Sequence, residues 1–234
     1  MGCDIHLKVQ KWNVGHWENT EAPRPCSDCK GAKKRHDGQP CIWCDGRGEV
    51  TGFGTRTYDT FAILADVRNG DGGQDDDPFI PIALPRGLPQ DLKFARVEAH
   101  YFGDHSFSWL MLSELIAYPH WEAETTKRGW ISQEEFARWD AKDPKDFPSG
   151  WIRSTGGGGV RHISNDQMRA VLAGGPAPSD PTGAIFYGPS SYYTLVEWRA
   201  TYARCASEFH DDFIPALLKV GAPNEVRIVF GFDS

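Results

Sequence analysis

Four cysteines stand in two Cys-x-x-Cys pairs, Cys26-Ser-Asp-Cys29 and Cys41-Ile-Trp-Cys44. Two such pairs at this separation suit a tetrahedral thiolate cage around one zinc ion. A closed four-sulfur shell leaves the ion no open position for water or substrate. The expected zinc is therefore structural, supplying folding free energy and geometry rather than Lewis acidity. The alternative is a pair of disulfides, which needs an oxidising compartment, and the N-terminus shows no charged-then-apolar leader towards one. Cys3 and Cys205 fall outside the pattern.

With the cage closed, chemistry has to come from other residues. Cys3-Asp4-Ile5-His6 opens the chain, and strand alternation puts Asp4 and His6 on one side, within reach of a common ion or proton. Asp-x-His is also the first-strand arrangement of metallophosphoesterases, but the Gly-Asp and Gly-Asn-His-Glu signatures of that family are missing. A second cluster, Gly103-Asp104-His105-Ser106, sits where irregular chain gives way to an expected helix, and Asp104 or Ser106 would serve there as a cap. The expectation is that Asp4, His6, Asp104 and His105 line one cleft as metal ligands or an acid/base set, with a second divalent metal as an option. Arg68 or Arg86 would then neutralise a phosphate, and Ser106 would contact the ligand.

These groups need elements to hold them. Ile5 to Trp12 alternates apolar and polar residues and predicts a strand, Asn13-Val14-Gly15 a turn, and His16-Trp17-Glu18 a return strand. A zinc-binding hairpin insertion is expected over residues 22–50. Phe61, Leu64, Ala65 and Arg68 recur at helical spacing within 59–68, closed by Asn69-Gly70. Helices are also expected over Ser106–Tyr118, over Ser132–Asp140 with a Ser132/Glu135 capping box, and over Tyr192 to about Glu208, followed by one interrupted near Pro215. Val226 to Asp233 reads as a strand of high β-propensity. The fold class expected is α+β: an antiparallel sheet containing both terminal strands, covered by the helices at 59–68 and 192–208. One domain over 1–234 fits the length, and two small domains also fit.

Three segments read as irregular. Pro81 to Pro89 carries too many prolines for regular structure, and Gly70 to Pro78 is an acidic loop without the spacing of an EF-hand. Gly156 to Gly159 is followed by no Gly-Lys-Ser/Thr, so a lid or linker fits better than a phosphate-cradling loop.

Cys41-Ile-Trp-Cys44-Asp-Gly46-Arg-Gly48 resembles the Cys-x-x-Cys-x-Gly-x-Gly repeat of the zinc region in DnaJ-type co-chaperones. The first knuckle, Cys29-Lys-Gly31-Ala-Lys33, keeps one glycine and puts lysine in place of the other. With two knuckles and no J-domain motif, the resemblance implies a zinc-stapled hairpin and not a co-chaperone. Met1-Gly-Cys-Asp-Ile-His6, the segment Tyr58 to Asn69, Pro85-Arg-Gly-Leu-Pro89, Asp104 to Leu110 and Phe232-Asp233-Ser234 resemble a family of uncharacterised bacteriophage proteins. That resemblance spans both ends of the chain and brings no activity with it.

The chain has 234 residues, of which 40% are hydrophobic and 24% charged, with a formal net charge of −7. The acidic balance argues against non-specific nucleic-acid binding, and Lys30, Lys33, Lys34 and Arg35 read as a solvated basic loop. No apolar run approaches a membrane span, so the expected location is the cytoplasm of a producing or infected bacterial cell. Three functions fit: a metal-dependent hydrolase of a nucleotide or phosphodiester such as a host defence signal, a non-catalytic nucleotide sponge or adaptor for a host protein, and an interaction module in which Asp4 and His6 are a structural pair.

Overall fold

The structure is a computed structural model that describes residues 2–54, 56–70, 77–92, 103–142, 145–156, 159–176 and 191–233. The chain divides into two compact units: 1–69, 79–123 and 202–234 form the first, 70–78 and 124–201 the second. In chain order the first unit contributes strands β1 (Ile5–Asn13), β2 (His16–Thr20), β3 (Arg24–Pro25) and β4 (Glu49–Val50), helix α1 (Tyr58–Ala65), strand β5 (His105–Met111) and helix α2 (Leu112–Ala117). The second unit follows with β6 (Glu124–Ser132), α3 (Gln133–Asp140), β7 (Val160–His162), α4 (Asn165–Leu172) and β8 (Ser191–Thr201). The first unit then resumes with α5 (Tyr202–Cys205), a π-helical stretch Glu208–Phe213, α6 (Ile214–Val220) and β9 (Val226–Phe232).

The main sheet has the order β2-β1-β9-β5, and each neighbouring pair is antiparallel. Both terminal strands lie in it, as the sequence predicts. All seven residues of β9 are buried, which fits a strand with partners on both edges and apolar side chains towards both faces. Its one charged residue, Arg227, is held by Asp91 (2.9 Å), by Gln10 (2.9 Å) and by the face of Trp17 (4.2 Å). The β1–β2 connection is a two-residue turn with Val14 and Gly15 both at positive φ, the conformation that matches the twist of a tight hairpin. From α1, fully buried Phe61 packs edge-on against Phe232 at 5.0 Å.

Two expected helices are strands. Residues 106–111 belong to β5, and only 112–117 are helical. Ser108 and Leu110 are both buried, a period of two, and the edge of β9 opposite β1 needs a partner for its backbone groups. Ser106 caps nothing there: it sits at φ 51 within an irregularity of the β5–β9 ladder, and the N-terminus of α2 is capped by Glu114 reaching back to the Met111 N–H at 2.9 Å. Residues 191–201 form β8, in which Thr194, Val196, Trp198 and Ala200 are buried alternately. The β-branched and aromatic run from Tyr192 to Trp198 follows that two-residue period, and helical conformation begins only at Tyr202. Pro215 falls in the first turn of α6, directly after the π-helical stretch, so its missing N–H breaks no ladder.

In the second unit, β8 is central, antiparallel to β6 and parallel to β7. Ser132 caps α3 by accepting from the Glu135 N–H at 3.3 Å. The return half of the capping box is not made, because buried Glu135 is committed to Ser149 and Arg138. Residues 71–76 of the acidic loop and Gly157 and Gly158 of the glycine run lie outside the described residues.

One backbone contact sets the upstream end of β5. Gly103 has φ +84, and a Cβ built on it would lie 2.2 Å from the Phe232 carbonyl oxygen, which accepts the Asp104 N–H at 2.7 Å. Gly103→Ala is expected to cost about 2–4 kcal/mol in urea unfolding. Gly15→Ala, with positive φ but open space around it, should cost about 1 kcal/mol. Equal, small losses at both positions would contradict this account of the β5–β9 junction.

Candidate functional site

Cys26, Cys29, Cys41 and Cys44 are all buried, and their sulfurs lie within 4.8 Å of one another. Cys26 Sγ is 3.9 Å from Cys41 Sγ, and Cys29 Sγ is 3.8 Å from Cys44 Sγ. A tetrahedron with metal–sulfur bonds of about 2.3 Å has edges of about 3.8 Å, so the donor set fits a four-coordinate ion. The six cysteines of the chain are unpaired, and Cys3 and Cys205 are buried elsewhere. The short β3–β4 ladder ties off the insertion, and the Cys26 N–H bonds the Gly48 carbonyl at 2.9 Å.

The two knuckles repeat one backbone conformation. Lys30, Gly31 and Lys33 after the first, and Asp45, Gly46 and Gly48 after the second, all have positive φ. This turn aims the Gly48 N–H at Cys44 Sγ, 3.1 Å away. A Cβ on Gly48 would meet the Gly31 carbonyl at 2.9 Å, which explains why that position is glycine. Lys33, its counterpart in the first knuckle, adopts the left-handed conformation with a full side chain. Burial pushes the Cys41 thiol up to about 12. Burial also works against the Cys44 thiolate, but the Gly48 N–H and the neighbouring sulfurs outweigh it and hold that thiol below its usual range.

Of the other predicted residues, Asp4 and His6 come together, and His105 lies apart from them. Asp4 and His6 meet through a residue the sequence reading did not assign to the site, Asp233: its carboxylate takes the Asp4 N–H (2.8 Å) and contacts His6 Nε2 (2.9 Å). Asp4 itself is engaged by both nitrogen edges of Arg56, Nη2 at 2.7 Å, and Arg56 was likewise not foreseen. Arg56 holds the Asp4 carboxyl below its usual range; His6 and the Asp4 N–H do the same for Asp233. Gly2 gives this pair room, since a Cβ there would lie 2.8 Å from the Arg56 guanidinium.

His105 is across the sheet from His6. The register pairs His105 and Ile5 with Phe232, whereas His6 pairs with Gly231, so the two imidazoles project from opposite faces. His105 stacks on Phe232 and bonds Ser106 Oγ through Nδ1 at 3.0 Å; Asp104 is 4.0 Å from its Nε2. Arg68 hydrogen-bonds the Cys3 side chain, whose thiol is nonetheless raised by burial. Arg86 is bound by both oxygens of Glu114 (2.6 and 3.0 Å) and lies over Trp109, four residues along β5 from His105, about 13 Å of strand. Among the described residues, the four cysteines are the one group of three or more His, Cys, Asp or Glu side chains within ligand distance.

The insertion carries a concave surface. A cavity of ≈ 580 Å³ is lined by the cationic or titratable Lys30, Lys34, Arg35 and His36, by Ile42 and Trp43, and by Asp28 and Cys29. Ile42 and Trp43 are 66% and 71% exposed, far more than apolar side chains that pack a core. Cys41 and Cys44 point inward to the sulfur cluster, which leaves the two residues between them on the outside.

No protein-family model, curated protein or solved structure matches the chain. The site is therefore read from its own geometry. The sequence signal for the cavity was present in the basic run and in a tryptophan placed inside a knuckle, but the run read as a solvated loop because nothing in the sequence shows that the two line one cavity.

Elemental analysis should find one metal per chain, bound at pH 7.5 and released by about pH 5 as protons compete for the sulfurs, and Cys41→Ser should lose it. A metal-free chain with the insertion still protected from protease would contradict the cage. The lowered Asp4 and Asp233 carboxyls contribute stability above the ordinary carboxylate pKa of about 4, and it is lost as pH falls through their folded values. Asp233→Asn should therefore be less stable than wild type at pH 7 and indistinguishable from it by about pH 2 in thermal unfolding. A gap that persists into acid would show that Asp233 acts sterically.

Proposed function

We propose that the protein is a non-catalytic binder of a phosphate-bearing nucleotide, seated in the cavity beside Trp43, with structural zinc in the four-cysteine cage. The observation that carries this reading is that cationic side chains and an exposed indole line one cavity of ≈ 580 Å³, a size that suits a nucleotide. Lys30 and Lys34 form no ion pair among the described residues, so their charge is available to a phosphate. Arg35 is shared with Asp37 at 3.1 Å. An exposed indole offers a base a stacking surface worth about 1–3 kcal/mol.

Binding is favoured over hydrolysis because the acid/base candidates are dispersed. His6 and His105 lie on opposite faces of the sheet, and the Asp4 carboxylate is occupied by Arg56. A general acid and base acting on one phosphodiester must reach the same reacting atoms. The resemblance to bacteriophage proteins gives the reading a setting: a protein that sequesters a nucleotide signal of a host defence needs affinity and no turnover. The second reading, an adaptor for a host protein, draws on the same exposed Ile42 and Trp43.

Titration calorimetry with adenosine and uridine monophosphates tests the proposal on the zinc-loaded protein. Trp43→Ala and the pair Lys30→Glu/Lys34→Glu should each lower affinity about tenfold or more. Asp4→Asn and His6→Ala should leave it unchanged. Loss of binding in the Asp4 and His6 variants, with retention in the others, would move the site to the sheet.

A further inference from the structure

We infer that the ligand of this site is a short single strand of nucleic acid that crosses Trp43, occupying two cavities with consecutive nucleotides; this rests on the nucleotide reading above. A second cavity of ≈ 500 Å³ adjoins the first, and the two share Trp43 and Asp28. Each is of nucleotide size. One indole therefore stands between two compartments that a mononucleotide cannot fill together.

The second compartment is lined by the carboxylates of Asp28 and Glu208 and by one cation, Arg24, whose hydrogen-bonding set is incomplete. Arg24 lines it and is 4% exposed. Its Nη2 bonds Glu208 at 2.7 Å and the Gly52 carbonyl at 3.3 Å, but its Nε and Nη1 have no acceptor. A buried guanidinium with two unsatisfied donors is costly, and the face of Phe53, 5.9 Å from its central carbon, compensates only in part. Both nitrogens are enclosed, so a phosphate entering beside Arg24 would reach them through a shift of the surrounding side chains, with Ser27 among the lining residues. The lining also includes Gly52 and Gly54, where a Cβ would meet nothing within 4 Å, so backbone there is open to a sugar or base.

The order of charges along the path fits a strand. The lysine wall lies at one end and Arg24 at the other, and between them stand the ring of Trp43 and the carboxylate of Asp28, which repels phosphate and accepts from the exocyclic amine of a base. The formal charge of −7 belongs to the whole chain, and solvent ions screen distant charges beyond about 8 Å, so a local cationic strip still acts on a strand lying against it. A duplex presents no unstacked base to the indole and is expected to bind poorly.

Fluorescence anisotropy with labelled eight-nucleotide single strands of DNA and RNA, and the matching duplex, tests the inference on the full zinc-loaded chain. The single strand should bind at least tenfold more tightly than a mononucleotide competitor and weaken as salt rises. Gly52→Leu and Gly54→Leu fill the second compartment from its open wall; they should bring the single strand down to mononucleotide affinity, with mononucleotide binding and metal content unchanged. Equal affinity for mononucleotide and strand, or strand binding untouched by both leucine variants, would overturn the two-compartment ligand and leave the nucleotide reading standing. Absence of binding to mononucleotide and strand alike would overturn both, as would displacement of the strand by an acidic peptide of higher affinity.

Discussion

The ladder on both edges of β9 is the constraint on which the first unit rests. A strand buried along its whole length must have its backbone groups paired on both sides, since each orphan would cost as much as a lost hydrogen bond. β1 satisfies one edge and β5 the other. That double pairing fixes the register, and the register places the polar groups: Asp4 beside Asp233 and His6 beside Gly231 on one face, Ile5 and His105 beside Phe232 on the other. Where the ladder ends, side chains replace backbone, as Asp233 takes the Asp4 N–H. The Asp4–Arg56 and His6–Asp233 pairs fasten the strand ends.

The insertion obeys a different constraint. Its buried cluster consists of the four cysteines with partly buried Val50 packed against them, far too little apolar surface to fold on hydrophobic burial alone. Its buried core is a cluster of four sulfurs fit to hold a metal ion, and a core made of sulfur frees the loop residues from packing. Basic and aromatic side chains can then be displayed together, and Ile42 and Trp43 stay exposed without loss of a core. The aromatic contacts of Phe53 with Phe209 and Phe213, at 5.1 and 5.2 Å, anchor the chain just after the insertion to the π-helical stretch.

What the sequence made legible was local. The knuckle spacing is a covalent fact, the alternation of Ile5 to Trp12 reports a half-buried strand, and Val14-Gly15 specifies its turn. Strands β5 and β8 were hidden because Ser-Phe-Ser-Trp and Tyr-Tyr-Thr-Leu-Val-Glu-Trp also contain helix-compatible spacings, and the long-range pairing that decides between the periods is invisible in a single segment. The site suffered from the same blindness. Alternation correctly put Asp4 and His6 together, but the face on which His105 emerges depends on its register with a strand more than a hundred residues away. Asp233 was visible only as part of a terminal pattern, and Arg56 had no local signal at all.

The contact between His6 and Asp233 joins residues 227 positions apart, and the β1–β9 ladder runs from that separation at Ile5–Phe232 down to 215 at Lys11–Val226. During synthesis β1 therefore has no partner on its β9 edge until the last strand of this segment has been made. Hydrogen-bonding groups on that edge stay unpaired for the longest interval of any in the sheet. The β1–β2 hairpin and the cysteine cage, by contrast, close over short loops and can form early. The charged and polar residues that alternate along β1, His6, Lys8 and Gln10, then have a role before the fold exists: they disfavour pairing of a waiting strand with the wrong edge.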